Sequence, residues 1–165
     1  MKKFFKLLSF LTISLLSYTV SAQEFTIGAH VGALGSSSSD SNASTSTIGY
    51  GPDIKIDPYG WAALKIDATF GTLAGSSYFS SSPAIQLNPI AYEEFQMGFL
   101  AGPGFYKLLG QDIKFGLNFG VAGDFLLAKN LSIGMEARYH PIFDSVDIWT
   151  VYLTMGFRFQ GGDGW

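Results

Sequence analysis

The feature that most constrains this chain is a two-residue alternation that runs through most of its length. It is plainest from Trp149 to Phe159. There Trp149, Val151, Leu153, Met155, Phe157 and Phe159 take the odd positions, and Thr150, Tyr152, Thr154, Gly156 and Arg158 the even ones. Successive side chains of a strand point to opposite faces, so a large apolar set interleaved with a small or polar one describes a strand between unlike surroundings.

The pattern recurs upstream. Leu131, Ile133, Met135, Ala137, Tyr139 and Phe143 oppose Ser132, Gly134, Glu136, Arg138 and His140. Ile113, Phe115, Leu117, Phe119, Val121, Phe125 and Leu127 oppose Lys114, Gly116, Asn118, Gly120, Ala122 and Asp124. Phe95, Met97, Phe99, Ala101 and Phe105 oppose Gln96, Gly98, Gly102, Gly104 and Tyr106. In the N-terminal half, Phe25, Ile27, Ala29 and Val31 alternate with Thr26, Gly28, His30 and Gly32. Ile48, Tyr50, Ile54 and Ile56 face away from Gly49, Gly51, Asp53 and Lys55, and Leu64, Ile66, Ala68 and Phe70 from Ala63, Lys65, Asp67 and Thr69. An eighth strand near 83–91 sets Ile85 and Leu87 against Gln86 and Asn88, although Pro83 and Pro89 cannot donate to a ladder.

The predicted connections are short at one end (Asp57 to Gly60, Tyr92 to Glu94, Ala128 to Asn130) and longer and more polar at the other (35–46, 74–82, 108–112, 144–147). Eight such strands over residues 23–165 predict an all-β fold, an eight-stranded antiparallel up-and-down transmembrane β-barrel of the outer-membrane type. The segment 35–46, rich in Ser and Thr, reads as a flexible, solvated loop.

Alternation alone does not say which face is inside, since a soluble lipocalin-type barrel carries the same period with its apolar face inward. Composition decides. Charged residues are 14% of the chain and hydrophobic ones 47%, against about 25% charged in a soluble domain. The polar face is mostly Gly, Ser, Thr, Asn and Ala, a poor water-facing surface but a suitable filling for a narrow bore. An eight-stranded interior, only just wide enough for side chains, would not hold the large residues. Aromatics also gather towards strand ends, Phe70, Phe105, Phe115, Phe143 and Trp149 at one level and Phe25, Phe95, Phe125 and Phe159 at the other. Such rows form the two interfacial girdles of a membrane barrel.

Residues 1–22 read as a secretory signal peptide. Lys2, Lys3 and Lys6 precede an apolar run from Leu7 to Leu16, and Val20-Ser21-Ala22 supplies small residues for cleavage. The run is shorter than the ~20 residues a spanning helix needs, and no later stretch is apolar enough to span as a helix. Cleavage after Ala22 leaves 143 residues with 7 basic and 13 acidic side chains. That acidic balance argues against nucleic acid as a partner. The absence of Cys excludes a disulfide framework, a thiolate metal site and a lipid-modified N-terminal cysteine.

With the apolar face outward, the lumen receives Asp53, Lys55, Lys65, Asp67, Lys114, Asp124, Glu136, Arg138 and Arg158, with Asp57 near its rim. Burying an unpaired ion costs several kcal/mol, so five acids and five bases predict a lumen plugged by crossing ion pairs. A three-residue turn after Asp57 would set Asp53 opposite Lys65. The turn at Ala128 to Asn130 would set Ala122 opposite Glu136 and Gly120 opposite Arg138, the glycine leaving room for the arginine to lie across the bore. The competing reading of the same charges is a narrow ion path.

The wording of the last strands, Gly116-Leu117-Asn118-Phe119-Gly120, Glu136-Ala137-Arg138-Tyr139-His140 and Leu153 to Phe159, resembles the small outer-membrane β-barrels of Gram-negative bacteria, the group holding OmpX-like proteins and the transmembrane domain of OmpA. The resemblance implies a monomer exported to the outer membrane, with outer-membrane lipid and lipopolysaccharide and the assembly machinery as partners. That machinery reads a last strand ending in an aromatic, a role suited to Phe157 and Phe159, here followed by Gln160 to Trp165. The expected role is structural or one of surface interaction, in adhesion or envelope integrity.

Some eight-stranded outer-membrane proteins modify lipid A, which requires a His beside a Ser, oriented by an acid, within reach of lipid. The two histidines, His30 and His140, both fall on the lumen face, and His140 is followed by Pro141 and Ile142. They read as members of a polar network, and two histidines without clustered acids make a poor metal site. No catalytic residue, cofactor or metal is expected.

Overall fold

The computed structural model describes residues 24–38, 41–58, 61–73, 75–92, 94–108, 110–143, 145 and 147–160. The predicted signal peptide with its cleavage site and the segment after Gln160 lie outside these residues. The described chain is entirely strand and connection: β1 (Glu24–Ser38), β2 (Ser41–Asp57), β3 (Ala62–Leu73), β4 (Ser76–Ser81), β5 (Ala84–Ala91), β6 (Phe95–Leu108), β7 (Lys114–Ala128), β8 (Leu131–His140) and β9 (Asp147–Gln160).

Nine strands make eight staves. β4 and β5 follow one another along the same stave, each pairing with β3 on one side and β6 on the other. The interruption falls at Ser82-Pro83, where proline has no N–H to give a neighbour. All pairings are antiparallel between successive staves, and β1 closes the ring against β9 from Glu24↔Gln160 to Ser37↔Asp147. Closure leaves no unpaired edge, the condition for crossing hydrocarbon with strands.

The faces fall as alternation predicts. Among the described residues, 32 large apolar side chains are exposed, including Met135, Phe99 and Ile85 at about six-tenths of their surface. Monomers in water rarely expose apolar patches beyond a few hundred Å², so this band is stable only against lipid. Aromatic rows bound it. Phe25 and Phe159 stack at 6.3 Å with Phe95 and Phe125 paired at the same end. Tyr50, Phe70 and Phe79 (6.5 and 5.2 Å) and Phe105 with Phe115 (5.2 Å) mark the other end.

The connections differ from expectation. Residues 35–38 and 41–46 are strand, with Gly35↔Ser46, Ser36↔Thr45 and Ser38↔Ser41 in register, and β4 occupies most of 74–82. The ladder there is built from Ser- and Thr-rich sequence without apolar alternation, so it leaves no period-two trace. The predicted asymmetry of the two ends survives as strand overhang: the β1–β2 hairpin continues well past the aromatic level of Tyr50. Two loop glycines at that end, Gly75 and Gly110, take φ of 79° and 84°, a left-handed conformation that excludes most other residues.

Candidate functional site

The lumen is filled in layers. Nearest the overhanging end is an apolar cap of Leu34, Leu73, Tyr78, Tyr106, Ile142 and Ile148, all buried. Beneath it lie two hydroxyl–imidazole clusters. His30 Nε2 is 3.0 Å from Thr69 Oγ1, with the Tyr152 ring against the imidazole at 4.5 Å. His140 bridges Tyr106 Oη (2.9 Å) and Thr150 Oγ1 (3.1 Å).

The charges come next. Lys65 on β3 reaches Glu136 on β8, Nζ to Oε2 at 2.5 Å. Arg138, also on β8, contacts Glu136 Oε1 at 2.6 Å and Asp67 Oδ1 of β3 at 2.9 Å. Lys55 on β2 meets Asp124 on β7 at 3.0 Å and donates to Gln96 Oε1 at 2.9 Å. In a ring of eight staves, β3 lies opposite β8 and β2 opposite β7, so these pairs span the full bore. Towards the short turns, Arg158 pairs with Glu24 at 3.1 Å, near the rim.

The register explains why pairing crosses the lumen. Asp53 stands beside Asp67, and Lys55 beside Lys65, not Asp53 beside Lys65 as the short turn predicts. The β2–β3 connection is longer by enough to slip the register two residues, which keeps every side chain on its face but exchanges its neighbours. Like charges side by side on adjacent strands repel. Their counterions must therefore come from the far wall, and Arg138, Glu136 and Asp124 supply them. On β7–β8 the predicted register is found: Gly120 faces Arg138 and Ala122 faces Glu136. A Cβ at Gly120 would sit 2.7 Å from Arg138 Cγ, so only glycine lets the arginine lie flat across the bore.

Three other predicted members are placed differently from the central network. Lys114, half-buried at the mouth beside the cap, has no carboxylate within ion-pair distance among the described residues. Asp53 lies 3.7 Å from His30 Nδ1, and Asp57 is buried at the short-turn end. Phe157 and Phe159 both point outward and are more than half exposed.

Sequence reasoning missed the inward apolar residues Leu34, Leu100 and Ile148, although parity reveals them: each shares its strand's register with the polar set. It also missed Asn118 as a latch. β4 and β5 leave a gap in the ladder with β6, whose pairs stop at Ser81↔Phe105 and resume at Ile85↔Ala101. Asn118, fully buried on β7, donates to Pro103 O (2.7 Å) and Pro83 O (3.4 Å) and accepts from Arg138 (3.3 Å). Arg138 also donates to Ser82 O at 3.3 Å. Two lumen side chains thus satisfy carbonyls that the prolines leave without ladder partners.

The line Thr69–His30–Asp53 has the order of nucleophile, base and orienting acid. Its His–Asp gap of 3.7 Å is longer than a hydrogen bond, and Thr69 is 2% exposed beneath the cap.

Solved structures of the same shape complete the picture. Ail, the attachment invasion locus protein of Yersinia pestis, superposes with a TM-score of 0.63 at 17% identity, covering 83% of this chain and 99% of that one. The chain has the fold of the small outer-membrane β-barrels. The N-terminal β-barrel domain of Pseudomonas aeruginosa OprF matches this barrel at 0.63 and 13% identity, over 83% and 98% of the two chains. The outer membrane protein OprG of the same organism matches at 0.62 and 12%, over 86% and 98%. No protein-family model and no curated protein matches.

Proposed function

We propose that the barrel is an integral outer-membrane protein with a sealed lumen and a structural or surface-interaction role, in adhesion or envelope integrity. The observation that carries this reading is the stack of diametric pairs, Lys65–Glu136, Arg138–Asp67 and Lys55–Asp124, lying under an apolar cap. A conducting bore needs a continuous water path. Here the central charges consume one another, and Leu34, Tyr78, Tyr106 and Ile148 fill the space above them. The burial of both histidines in the bore, 5% and 3% exposed and turned from the lipid side, supports a non-catalytic reading. The part available to a partner is the overhanging β1–β2 hairpin, whose Ser- and Thr-rich backbone projects beyond the girdle.

Single-channel recording in a planar bilayer tests the seal. The expected result is no steady conductance from the native barrel, with a variant that empties both layers of the bore (Tyr78→Ala and Tyr106→Ala in the cap; Lys65→Ala, Glu136→Ala and Arg138→Ala below it) as the positive control. Reproducible open levels from the native protein would overturn the reading. For the surface role, excising 37–44 leaves Gly35↔Ser46 as the last pair of the hairpin, with Ser36 and Thr45 as its two-residue turn. It should lower adhesion or envelope integrity without altering the shifted gel mobility of the unboiled barrel. Changed acyl chains on lipid A in mass spectra of cells carrying the protein would instead favour a lipid-modifying enzyme.

A further inference from the structure

The outward row of β7 runs Phe115, Leu117, Phe119, Val121, Phe125 and Leu127, broken once by Gly123. Every other described glycine within a strand is cramped: a Cβ there would approach another atom to about 3 Å or less. Gly123 alone has room, with its nearest neighbours Phe95 Cε2 at 3.8 Å and Gln96 O at 3.9 Å. No steric demand and no unusual φ accounts for a residue that weakens strands, and glycine in a strand otherwise marks the close approach of something else. Its absent side chain opens a groove of about 270 Å³ in the lipid-facing wall, whose lining includes the outward residues Met97, Val121, Gly123, Met135, Ala137 and Val151 along with Ala122 and Glu136. Methionine is the side chain best able to adjust to a flexible ligand.

The β7–β8 turn below this groove carries Lys129, the one exposed cation at the short-turn end among the described residues. From Lys129 to Gly123 is six residues, roughly 20 Å along a strand at ~3.3 Å per residue. With strands tilted by about 40° this is roughly 15 Å of depth. Subtracting a headgroup layer of roughly 6 Å places the groove about 9 Å into a hydrocarbon leaflet about 15 Å thick. Short turns face the periplasm in barrels of this type.

We propose that the groove seats one acyl chain of an anionic phospholipid from the periplasmic leaflet, with its phosphate at Lys129. The inference rests on the barrel crossing a bilayer and is independent of the sealed lumen. Hydrocarbon already surrounds the wall, so burial of apolar area gives the groove no advantage over bulk lipid. Selection comes from close packing where Gly123 lacks a side chain, and from one lysine near the phosphate, the latter contributing roughly fivefold.

Native mass spectrometry of the refolded full barrel in detergent, titrated with phosphatidylglycerol or phosphatidylcholine of identical chains, tests this. The native protein should retain one phosphatidylglycerol at about fivefold lower lipid concentration than phosphatidylcholine. Gly123→Leu, and Ala137→Leu as a second filling variant, should weaken retention of both lipids by roughly three- to tenfold. Lys129→Gln should abolish the headgroup preference alone. Unboiled gel mobility and bilayer conductance should match the native protein in all three variants, since these residues face away from the lumen. Equal retention by the native and both filled variants would overturn the proposal, as would a headgroup preference that survives Lys129→Gln. A protein dimer that disappears in Gly123→Leu would also overturn it, by assigning the groove to a second barrel.

Discussion

Glu136 is the point at which the lumen is most vulnerable. It is 4% exposed and is shared by two cations, Lys65 at 2.5 Å and Arg138 at 2.6 Å, which are themselves only 5% and 4% exposed. Glu136→Gln keeps the shape and one acceptor but removes the charge. Arg138 retains Asp67, whereas Lys65 is left in a closed bore beside Lys55 with no carboxylate of its own. Removing one partner of a buried pair costs about 3–5 kcal/mol, and the surviving carbonyl acceptor places this variant near the lower figure. Glu24→Gln breaks the rim pair with Arg158, whose side chains are 22% and 11% exposed. Partial contact with water limits that loss to about 1 kcal/mol or less. The assay is reversible urea unfolding in lipid vesicles, followed by tryptophan fluorescence. Lys65→Met combined with Glu136→Leu should recover at least half of the single-variant loss, because both members of the pair then leave together. Equal, small losses for Glu136→Gln and Glu24→Gln would refute the view that cross-bore pairing holds the barrel together. So would a double variant no more stable than the single one.

Other consequences follow from the same geometry. Val121→Arg places a cation on the lipid face and should cost ~2–4 kcal/mol near the midplane in the same unfolding assay. Gly120→Val drives a side chain into the Ala137 carbonyl oxygen and Arg138 Cγ, and should cost about 1–3 kcal/mol by forcing the backbone and the arginine apart. Asn118→Leu leaves the carbonyls of Pro83 and Pro103 without their donor, at about 1–3 kcal/mol. Hydrogen exchange should then quicken selectively for amides flanking Pro83 and Pro103, while β8 and β9 stay protected.

How much of this was legible in the sequence divides along a physical line. Face is a matter of parity, and parity survives any even slip. Asp53, Lys55, Lys65 and Asp67 are therefore inside, as alternation requires, although their neighbours differ from those the turn length predicts. Partners depend on the register between strands, which a turn of unknown conformation does not fix. The β7–β8 turn has the expected span, and there Gly120 and Arg138 meet as foreseen. The overhang was illegible for a different reason. Residues 36–38 and 41–46 belong to the β1–β2 ladder, yet their Ser- and Thr-rich sequence carries no alternating apolar signature. Pairs across the bore lie beyond any local reading, because they join strands four staves apart.

The two like-charged rows on β2 and β3 give the lumen a further consequence for folding. An isolated β2–β3 hairpin sets Asp53 against Asp67 and Lys55 against Lys65, so its lumen face repels itself. Only when β7 and β8 come round the ring do Asp124, Glu136 and Arg138 neutralise it. The favourable electrostatic contacts thus arise on closure and not in the local hairpin. A β2–β3 register slipped by two residues would improve the local pairing, placing Asp53 beside Lys65. It would also move one wall's charges relative to those opposite, out of step with Glu136 and Arg138. The cross-bore pairs therefore penalise the register that the hairpin alone would choose, and reward the one that lets the barrel close. Such a device specifies one closed structure among near-isoenergetic alternatives, a role for which buried polar groups are best attested.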